Sequence, residues 1–281
     1  ETPASAASER VDEPVHDEVL YDVVDHVATL TLNAPQRMNT ISGPMLAAIS
    51  RRLLDADADP AARCIVITGA GRAFCAGLDL QAQMAGPTGG LGNLGDGSAF
   101  NGELDLRNPP PTVLHDLDTP TICALNGGAA GYGLDLALGC DIRIAADTAK
   151  LNPGFAKRGI LPESGGTWLL PRMLGWSKAA EIIFAGRTLS AAQCLELGLV
   201  SEVGPHAELM NRTRKLASEI AANAPLAVRA SKRMMRAGLS EGFDDHVHHV
   251  FMQLLPLFRT KDFQEGLRAF LEKREPKFDG R

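Results

Sequence analysis

Short runs of apolar residues, separated by turns that contain glycine or proline, dominate the first two-thirds of the chain. Runs of five or six residues rich in Val, Ile and Leu predict β-strands, and wholly apolar runs predict strands that are buried on both faces. The predicted strands are Val19 to Val24, Val27 to Leu32, Cys64 to Thr68, Thr121 to Leu125 and Asp141 to Ala145. The first two are joined at Asp25-His26, which predicts a hairpin.

Helical spacing of apolar residues occurs once between these strands and then continues through the last third of the chain. Ser42 can cap the first helix, which ends near Asp57. Its apolar face is formed by Met45, Leu46, Ile49, Leu53 and Leu54. The later helices are predicted at Ser164 to Leu174, Ser177 to Ala185, Ser190 to Leu197, Ala207 to Ala222, Pro225 to Ala237, Ser240 to Arg259 and Lys261 to Lys273. Strands mixed with helices, and then helices alone, predict a mixed α/β fold.

A glycine-rich stretch follows the strand at Thr121 and forms the centre of the predicted site. It reads Asn126-Gly127-Gly128-Ala129-Ala130-Gly131-Tyr132-Gly133-Leu134-Asp135 and leads into a short apolar helix that ends near Gly139. A strand that breaks on glycines and opens into a helix exposes main-chain N–H groups at the positive end of the helix dipole. The pattern therefore predicts a site for a negatively charged oxygen, with the Asp135 carboxylate beside it.

A second stretch has the same organisation, because Ala73-Phe74-Cys75-Ala76-Gly77-Leu78-Asp79-Leu80 follows the strand that begins at Cys64. With the first stretch, and with Gly159-Ile160-Leu161-Pro162-Glu163-Ser164-Gly165-Gly166-Thr167 downstream, it resembles the motifs of the crotonase (enoyl-CoA hydratase/isomerase) superfamily. The resemblance extends from Val19 to Phe278. It implies a core of ββα turns wound as a spiral over residues 19–200. It also implies a helical region over residues 201–281 that packs against neighbouring subunits and contacts CoA.

The resemblance also implies how the site acts on a thioester. The main-chain N–H groups of Leu78 and Tyr132 would form an oxyanion hole, which stabilises the enolate formed when the α-carbon loses a proton. Hydratases of the family use two glutamates; Asp135 matches the first, but Phe155 occupies the position of the second. Glu163 matches an aspartate that the dienoyl-CoA isomerases use, so Asp135 and Glu163 are the predicted acid/base residues. Either carboxylate could instead only cap a helix.

The remaining binding residues are also carried over from the family. The substrate and CoA contacts are expected from Arg37, Met38, Ala76, Asp79, Leu80, Gly128, Gly131, Phe155, Phe270 and Lys273. Arg37 and Lys273 could equally lie on a solvated surface. CoA would be part of the substrate, so neither a cofactor nor a metal is expected.

The predicted function is that of an acyl-CoA-processing enzyme, in the first place an enoyl-CoA hydratase/isomerase. The missing second glutamate keeps a dienoyl- or enoyl-CoA isomerase and an acyl-CoA hydrolase open as alternatives. A homologue that binds acyl-CoA or RNA without catalysis is a further alternative. By resemblance, the chain is expected to assemble as a homotrimer or a dimer of trimers.

Composition indicates which binding partners and which compartment to expect. The 281 residues hold 28 Lys and Arg against 34 Asp and Glu, and the net charge of −6 argues against general nucleic-acid binding. Five cysteines without a Cys-x-x-Cys pair favour a reducing compartment and cytoplasmic localisation. No apolar run reaches transmembrane length, so no membrane association is expected.

Three further segments lie outside these motifs. Residues 1–18 are acidic and rich in Ala, Ser and Pro, which predicts a disordered tail. Residues 81–113 are rich in glycine and proline and could form a lid over the acyl site or a plain linker. Arg229, Lys232, Arg233 and Arg236 form a basic stripe on one predicted helix, interpreted as a solvated face or a neighbour of the CoA phosphates.

Overall fold

A computed structural model of the protein describes residues 18–79 and 109–281. The predicted tail, apart from Glu18, lies outside the described residues, and so does most of the predicted lid. Leu80, expected to contact CoA, lies outside them as well. The end of the predicted lid segment is helical, because Pro110–Asp116 forms a helix that begins within the triple-proline sequence.

The main sheet has six strands, and a hairpin forms its edge. β1 pairs antiparallel with β2, and all the other neighbours are parallel, in the order β1-β2-β3-β5-β7-β10. The strands are β1 (Val19–Val24), β2 (Val27–Leu32), β3 (Cys64–Gly69), β5 (Thr121–Leu125), β7 (Ile142–Ala146) and β10 (Glu202–Gly204). The five strands predicted from the apolar runs are confirmed to within one residue at each end.

A second sheet of four short strands was not predicted. Its order is β4-β6-β8-β9, and its strands are β4 (Ala73–Cys75), β6 (Gly128–Ala130), β8 (Lys150–Asn152) and β9 (Leu189–Ser190). Strands of two or three residues, one of which begins at a glycine, carry too few apolar residues to show a period. The stretch from Gly127 to Gly131 therefore contains a short strand that its glycines and alanines do not indicate.

The helices of the described residues lie around these sheets. They are α1 (Gly43–Ala58), α2 (Pro110–Asp116), α3 (Tyr132–Gly139), α4 (Gly166–Leu174), α5 (Trp176–Ala185), α6 (Ala191–Glu196), α7 (Leu209–Ala221), α8 (Pro225–Ala237), α9 (Phe243–Leu257) and α10 (Lys261–Glu272). Ser42 caps α1 as predicted, because its side chain accepts the Met45 N–H at 3.2 Å. Leu54 was wrongly placed on the apolar face of α1, since it is 47% exposed.

The main sheet separates two hydrophobic cores. Alternate residues of strand β3 belong to different cores. Ile65 and Ile67 point into the larger core, and Cys64 and Val66 point into the smaller one. The larger core contains buried residues of α1 and α3, and the smaller core is closed by α7. Burial on both faces accounts for the uninterrupted apolar run.

The basic stripe on α8 is paired with carboxylates and is not a freely solvated face, so that part of the interpretation was wrong. That it neighbours the CoA phosphates stays a prediction. Its cations pair with Asp57, Asp118 and Asp141, with Lys232 Nζ 2.7 Å from Asp141 Oδ2 and Arg236 3.0 Å from Asp118 Oδ1. These carboxylates precede β3, β5 and β7, so α8 lies at the amino ends of the parallel strands. The glycine stretches follow the carboxyl ends of β3 and β5, at the opposite edge of the sheet.

The described residues contain neither a membrane-spanning helix nor a cluster of metal-binding side chains. No helix among residues 18–79 and 109–281 is both long and apolar enough to cross a bilayer. The same residues contain no group of three or more His, Cys, Asp or Glu side chains arranged to hold a metal ion.

Candidate active site

The segment that follows β4 is held in an extended form against Ile41. The Ile41 N–H donates to the Gly77 carbonyl at 2.8 Å, and the Asp79 N–H donates to the Ile41 carbonyl at 2.9 Å. In extended backbone the N–H groups of successive residues point to opposite sides. The N–H of Leu78, which lies between these two bonds, therefore points away from Ile41 and towards the other side of the segment.

The N-terminus of α3 lies directly beside this segment. Gly131 precedes the helix with φ of +52°, and Tyr132 is the first helical residue. A Cβ atom placed on Gly77 would lie 3.9 Å from the Tyr132 main-chain nitrogen and 3.1 Å from the Ala130 carbonyl oxygen. The structure therefore brings the two glycine stretches, and the two predicted N–H donors, next to each other.

This close approach depends on glycine. Gly77 has φ of +107°, a conformation that residues with a Cβ rarely adopt. Gly133 lies in the first turn of α3, and a Cβ there would overlap the carbonyl oxygen and side chain of Cys75. The spacing of these glycines thus lets α3 pack against the end of β4.

Asp135 is completely buried on the first turn of α3. Its Oδ2 accepts the Ser164 N–H at 3.1 Å, and its Oδ1 faces Gly166, where a Cβ would overlap it. Oδ1 has no hydrogen-bond partner among the described residues. Burial raises the pKa of this carboxyl to about 7; the Ser164 and Gly166 amides oppose the rise and the Glu163 carboxylate adds to it. Asp135 therefore holds its proton to a higher pH than an ordinary aspartate does.

Glu163 precedes α4 and lies close enough to Asp135 for the two carboxyl groups to interact. The residue is exposed to solvent, but the protein atoms around its carboxyl still raise its pKa above the ordinary value. The predicted acid/base residues are thus brought together. They differ in access, because Glu163 can be reached from outside and Asp135 cannot.

The side chain of Tyr132 also lies in this cluster. The residue is 7% exposed, and its hydroxyl has no partner within the described part of the chain. Burial raises the pKa of the phenol, and Glu163, Asp135 and Cys75 raise it further. The resemblance to the crotonase superfamily carries a signal for this ring, because Tyr132 replaces a glycine of the usual triple-glycine run, and the ring is expected to narrow the acyl pocket.

Phe155 is 3% exposed and lies against the turn before α3. Its Cε1 is 4.0 Å from the place a Cβ of Gly131 would take, and the Gly131 N–H donates to the Asn152 carbonyl at 3.2 Å. A phenyl ring, which cannot transfer a proton, therefore occupies the site edge where the resemblance expects a glutamate.

The predicted CoA-anchoring residues of the first half of the chain also come together. The Ala76 N–H donates to the Met38 carbonyl at 3.1 Å, and Arg37 Nε lies 3.6 Å from Asp79 Oδ2. The Arg37 guanidinium also pairs with Glu18 at 2.6 Å. A cation already held by two carboxylates is a weaker partner for phosphate than a solvated one.

The predicted contacts of the second half are more scattered. Gly128 lies in β6 beside the site, whereas Phe270 is 79% exposed on α10 and Lys273 ends that helix. No contact recorded between described residues joins Phe270 or Lys273 to the site of the same chain.

Two adjacent glycine-rich loops with a pair of carboxyl groups beside them form the candidate active site. The family model for enoyl-CoA hydratase/isomerase matches residues 23–281, and the chain belongs to this family, within the crotonase superfamily. It is 38% identical to the 1,2-epoxyphenylacetyl-CoA isomerase of Escherichia coli, over 94% of this chain and 98% of that protein. It is 33% identical to an enoyl-CoA hydratase of Mycobacterium tuberculosis, over 91% of this chain and 94% of that protein.

Solved structures agree with this assignment. The crystal structure of an enoyl-CoA hydratase from Bacillus anthracis superimposes with a TM-score of 0.85 at 32% identity, covering 94% of this chain and all of that chain. The predicted fold class is therefore confirmed.

Proposed function

We propose that this protein isomerises the double bond of enoyl-CoA thioesters through an enolate held by the main-chain N–H groups of Leu78 and Tyr132. Family membership supports an acyl-CoA thioester as the substrate. The adjacency of the two glycine stretches supports a shared oxyanion hole. A single such donor is worth about 3 kcal/mol of barrier height.

The buried ring of Phe155 is the observation that favours isomerisation over hydration. Hydration adds hydroxide at the β-carbon and a proton at the α-carbon, and the two-glutamate hydratases of the family divide this work between both sides of the double bond. Isomerisation of a 3-enoyl thioester needs one base that removes the α-proton, forming the enolate, and returns a proton to the γ-carbon. One accessible carboxyl group can do both.

Glu163 is the group to which we assign this proton transfer, because it is the accessible member of the carboxyl pair. Asp135 lies behind it and holds the Ser164 amide. Since each carboxylate disfavours the ionisation of the other, the pair retains one proton more readily than two separate acids would.

Hydration is the second candidate, because Asp135 lies at the position of the first hydratase glutamate and several relatives are hydratases. The two reactions are separated by incubating the protein with 3-hexenoyl-CoA and with 2-hexenoyl-CoA and analysing the products by mass spectrometry and NMR. Isomerisation moves the double bond without a change in mass, whereas hydration adds one water molecule. Release of free CoA would indicate hydrolysis, and binding without turnover would indicate a non-catalytic homologue.

Substitution of the two carboxylates tests the assignment of roles. We expect Glu163→Gln to lower kcat about 100-fold or more, because it removes the group that carries the proton. Asp135→Asn should lower kcat less, about tenfold, since it changes only the environment of that group. The matched control is Glu181→Gln, which changes an exposed carboxylate on α5.

Full activity of Glu163→Gln would contradict its role as the proton carrier. A larger loss in Asp135→Asn than in Glu163→Gln would reverse the two roles.

A further inference from the structure

Residues 274–281, which we call the strap, form neither helix nor strand, yet side chains of the fold hold their main chain in place. Asp262, on the first turn of α10, is 3% exposed. Its carboxylate accepts the N–H groups of Asp279 at 2.8 Å and Gly280 at 2.9 Å. Hydrogen bonds to an ionised acceptor are about twice as strong as neutral ones, so Asp262 binds the strap firmly to α10.

The strap is also attached to the core of the protein. Arg63, which precedes β3, donates from Nη2 to the Phe278 carbonyl at 2.8 Å. It also donates from Nη1 to the carbonyl of Ala221, at the end of α7, at 3.4 Å. The Phe278 ring lies 3.6 Å from the place that a Cβ of Gly266 on α10 would take. The strap therefore lies between α10 and the core and contacts both.

α10 buries little of its own surface. Of its twelve residues, Asp262 and Ala269 are buried, whereas Phe270 is 79% exposed. The rings of Phe263 and Phe258 meet with centroids 5.0 Å apart, but α9, which ends beside Phe258, has no buried residue. Because an isolated helix of this length is marginal in water, α10 depends on what attaches it to the rest of the fold.

The strap covers one face of α10 and leaves the neighbouring face open. Asp262, Gly266 and Ala269 follow each other at intervals of four and three residues, so they share the face that meets the strap. The adjacent face carries large, exposed apolar side chains, those of Phe263, Leu267, Phe270 and Leu271. The strap therefore fixes the direction in which this apolar face points.

We propose that the strap can open, and that its opening releases α10 as a unit while the two hydrophobic cores stay folded. Asp262 holds the strap on the helix side, and Arg63 holds it on the core side. Elements that open locally, below the global free energy of unfolding, are those with few buried apolar contacts, as in α10. The strap thus controls whether the apolar face of α10 has a fixed orientation, which is a property separate from the proposed isomerisation.

Hydrogen exchange of the full-length chain, measured by mass spectrometry, tests this proposal with two matched substitutions. Asp262→Asn removes the charge and replaces one accepting oxygen by an NH₂ group, which only donates. We expect the amides of α10 to exchange at least about tenfold faster, and those of β3 and β5 to keep their wild-type rates. Asp279→Asn is the control, because it makes the same change within the strap at an exposed carboxylate that pairs with Arg281 at 3.1 Å. It should leave the exchange of α10 unchanged.

Arg63→Met separates the strap from an effect within the helix. A negative charge on the first turn stabilises a helix by itself, so Asp262→Asn alone does not distinguish the two roles. The hydrogen bonds of Arg63 with described residues go to Ala221 and Phe278, and none goes to α10. We nevertheless expect Arg63→Met to speed the exchange of α10 about tenfold. This variant also serves if Asp262→Asn does not fold.

Wild-type exchange of α10 in Asp262→Asn would overturn the proposal. Faster exchange in Asp262→Asn but not in Arg63→Met would overturn it too, since Asp262 would then act only within its own helix. Equally faster exchange of β3 and β5 would show that α10 does not open separately from the cores. The measurement needs no substrate, so an inactive protein with the expected exchange pattern would contradict the proposed isomerisation and support the strap.

Discussion

The Asp135 carboxyl group lies where burial disfavours its charged form. The carboxyl group is fully buried, and its described neighbours include the Ser164 amide at 3.1 Å, the Gly166 amide and the Glu163 carboxyl group. Such a group favours the protonated form, and its folded-state pKa of about 7 lies well above the ordinary value of 3.8. Natural proteins accept this kind of local destabilisation mainly at functional sites.

This raised pKa has a consequence for stability. Between pH 4 and pH 7 the folded state holds a proton on Asp135 that the unfolded state has lost, so the free energy of unfolding falls as the pH rises through this window. The free energy of unfolding of the wild type should therefore fall between pH 5 and pH 8. Asp135→Asn cannot ionise at this position, so we expect its free energy of unfolding to fall by about 1–3 kcal/mol less over the same range.

Thermal unfolding of both proteins at the two pH values measures this difference. Parallel pH dependence of the wild type and Asp135→Asn would show that the Asp135 carboxyl titrates normally in the folded state.

Gly133 has no side chain, and this allows α3 to lie close to the end of β4. A Cβ at this position would overlap main-chain and side-chain atoms of Cys75, and backbone atoms cannot rotate away. We expect Gly133→Ala to destabilise the fold by about 1–3 kcal/mol and to lower kcat by moving the Tyr132 amide. Gly43→Ala is the control, because nothing lies within 4 Å of a Cβ there. Equal stability and activity of the two variants would contradict the close approach of α3 to β4.

At the scale of the element, ion pairs attach α8 to the carboxylates that precede strands of the main sheet. Asp118 accepts hydrogen bonds from both Arg233 and Arg236, and α8 has no fully buried residue. Burial works against ionisation of Asp118, but the hydrogen bonds and charges of the two arginines outweigh it and lower the pKa of that carboxyl. The ion pairs therefore hold the helix in register on the sheet.

We expect Asp118→Asn to lower the free energy of unfolding by about 1–2 kcal/mol, because two guanidinium groups lose a charged partner. Glu181→Gln is the control, since it removes an exposed pair with Arg187 that should contribute less than about 0.5 kcal/mol. Chemical denaturation of both variants measures the two effects. A loss no larger in Asp118→Asn than in Glu181→Gln would show that α8 is held by packing alone.

At the scale of the whole molecule, α9 and α10 present large apolar side chains to solvent. Phe243, Phe251, Phe270 and Leu271 are 80%, 54%, 79% and 72% exposed. Exposed apolar surface of this extent marks an interaction site in a stable protein. It supports our proposal that residues 201–281 form the interface of a homotrimer or a dimer of trimers.

We expect the wild-type protein to have the mass of three or six chains by light scattering, and Phe251→Glu to shift this towards a single chain. A charge placed in an apolar interface loses its hydration without gaining a partner. Ala192→Glu, on the exposed face of α6, adds the same charge elsewhere and should leave the assembly intact. A monomeric wild type would contradict the proposal.

The predictability of the elements follows from their length. β1, β2 and β5, with bounds as predicted, each have enough residues to show their apolar pattern, and so does α8. β4 and β6 have three residues each, which is too few to show an apolar pattern. They form only because β6 pairs with both β4 and β8. The second sheet thus arises from contacts between residues far apart in the chain.

The amino-acid sequence by itself determined the main strands and helices, the positions of the two glycine stretches and the family, because these depend on residue types at short, fixed spacings. Only the tertiary structure decided which carboxyl group is exposed, that the Tyr132 side chain is buried, and that the α8 cations pair with carboxylates of the fold. Burial and charge pairing are set by groups that meet across the folded chain, so no local pattern of residues contains them.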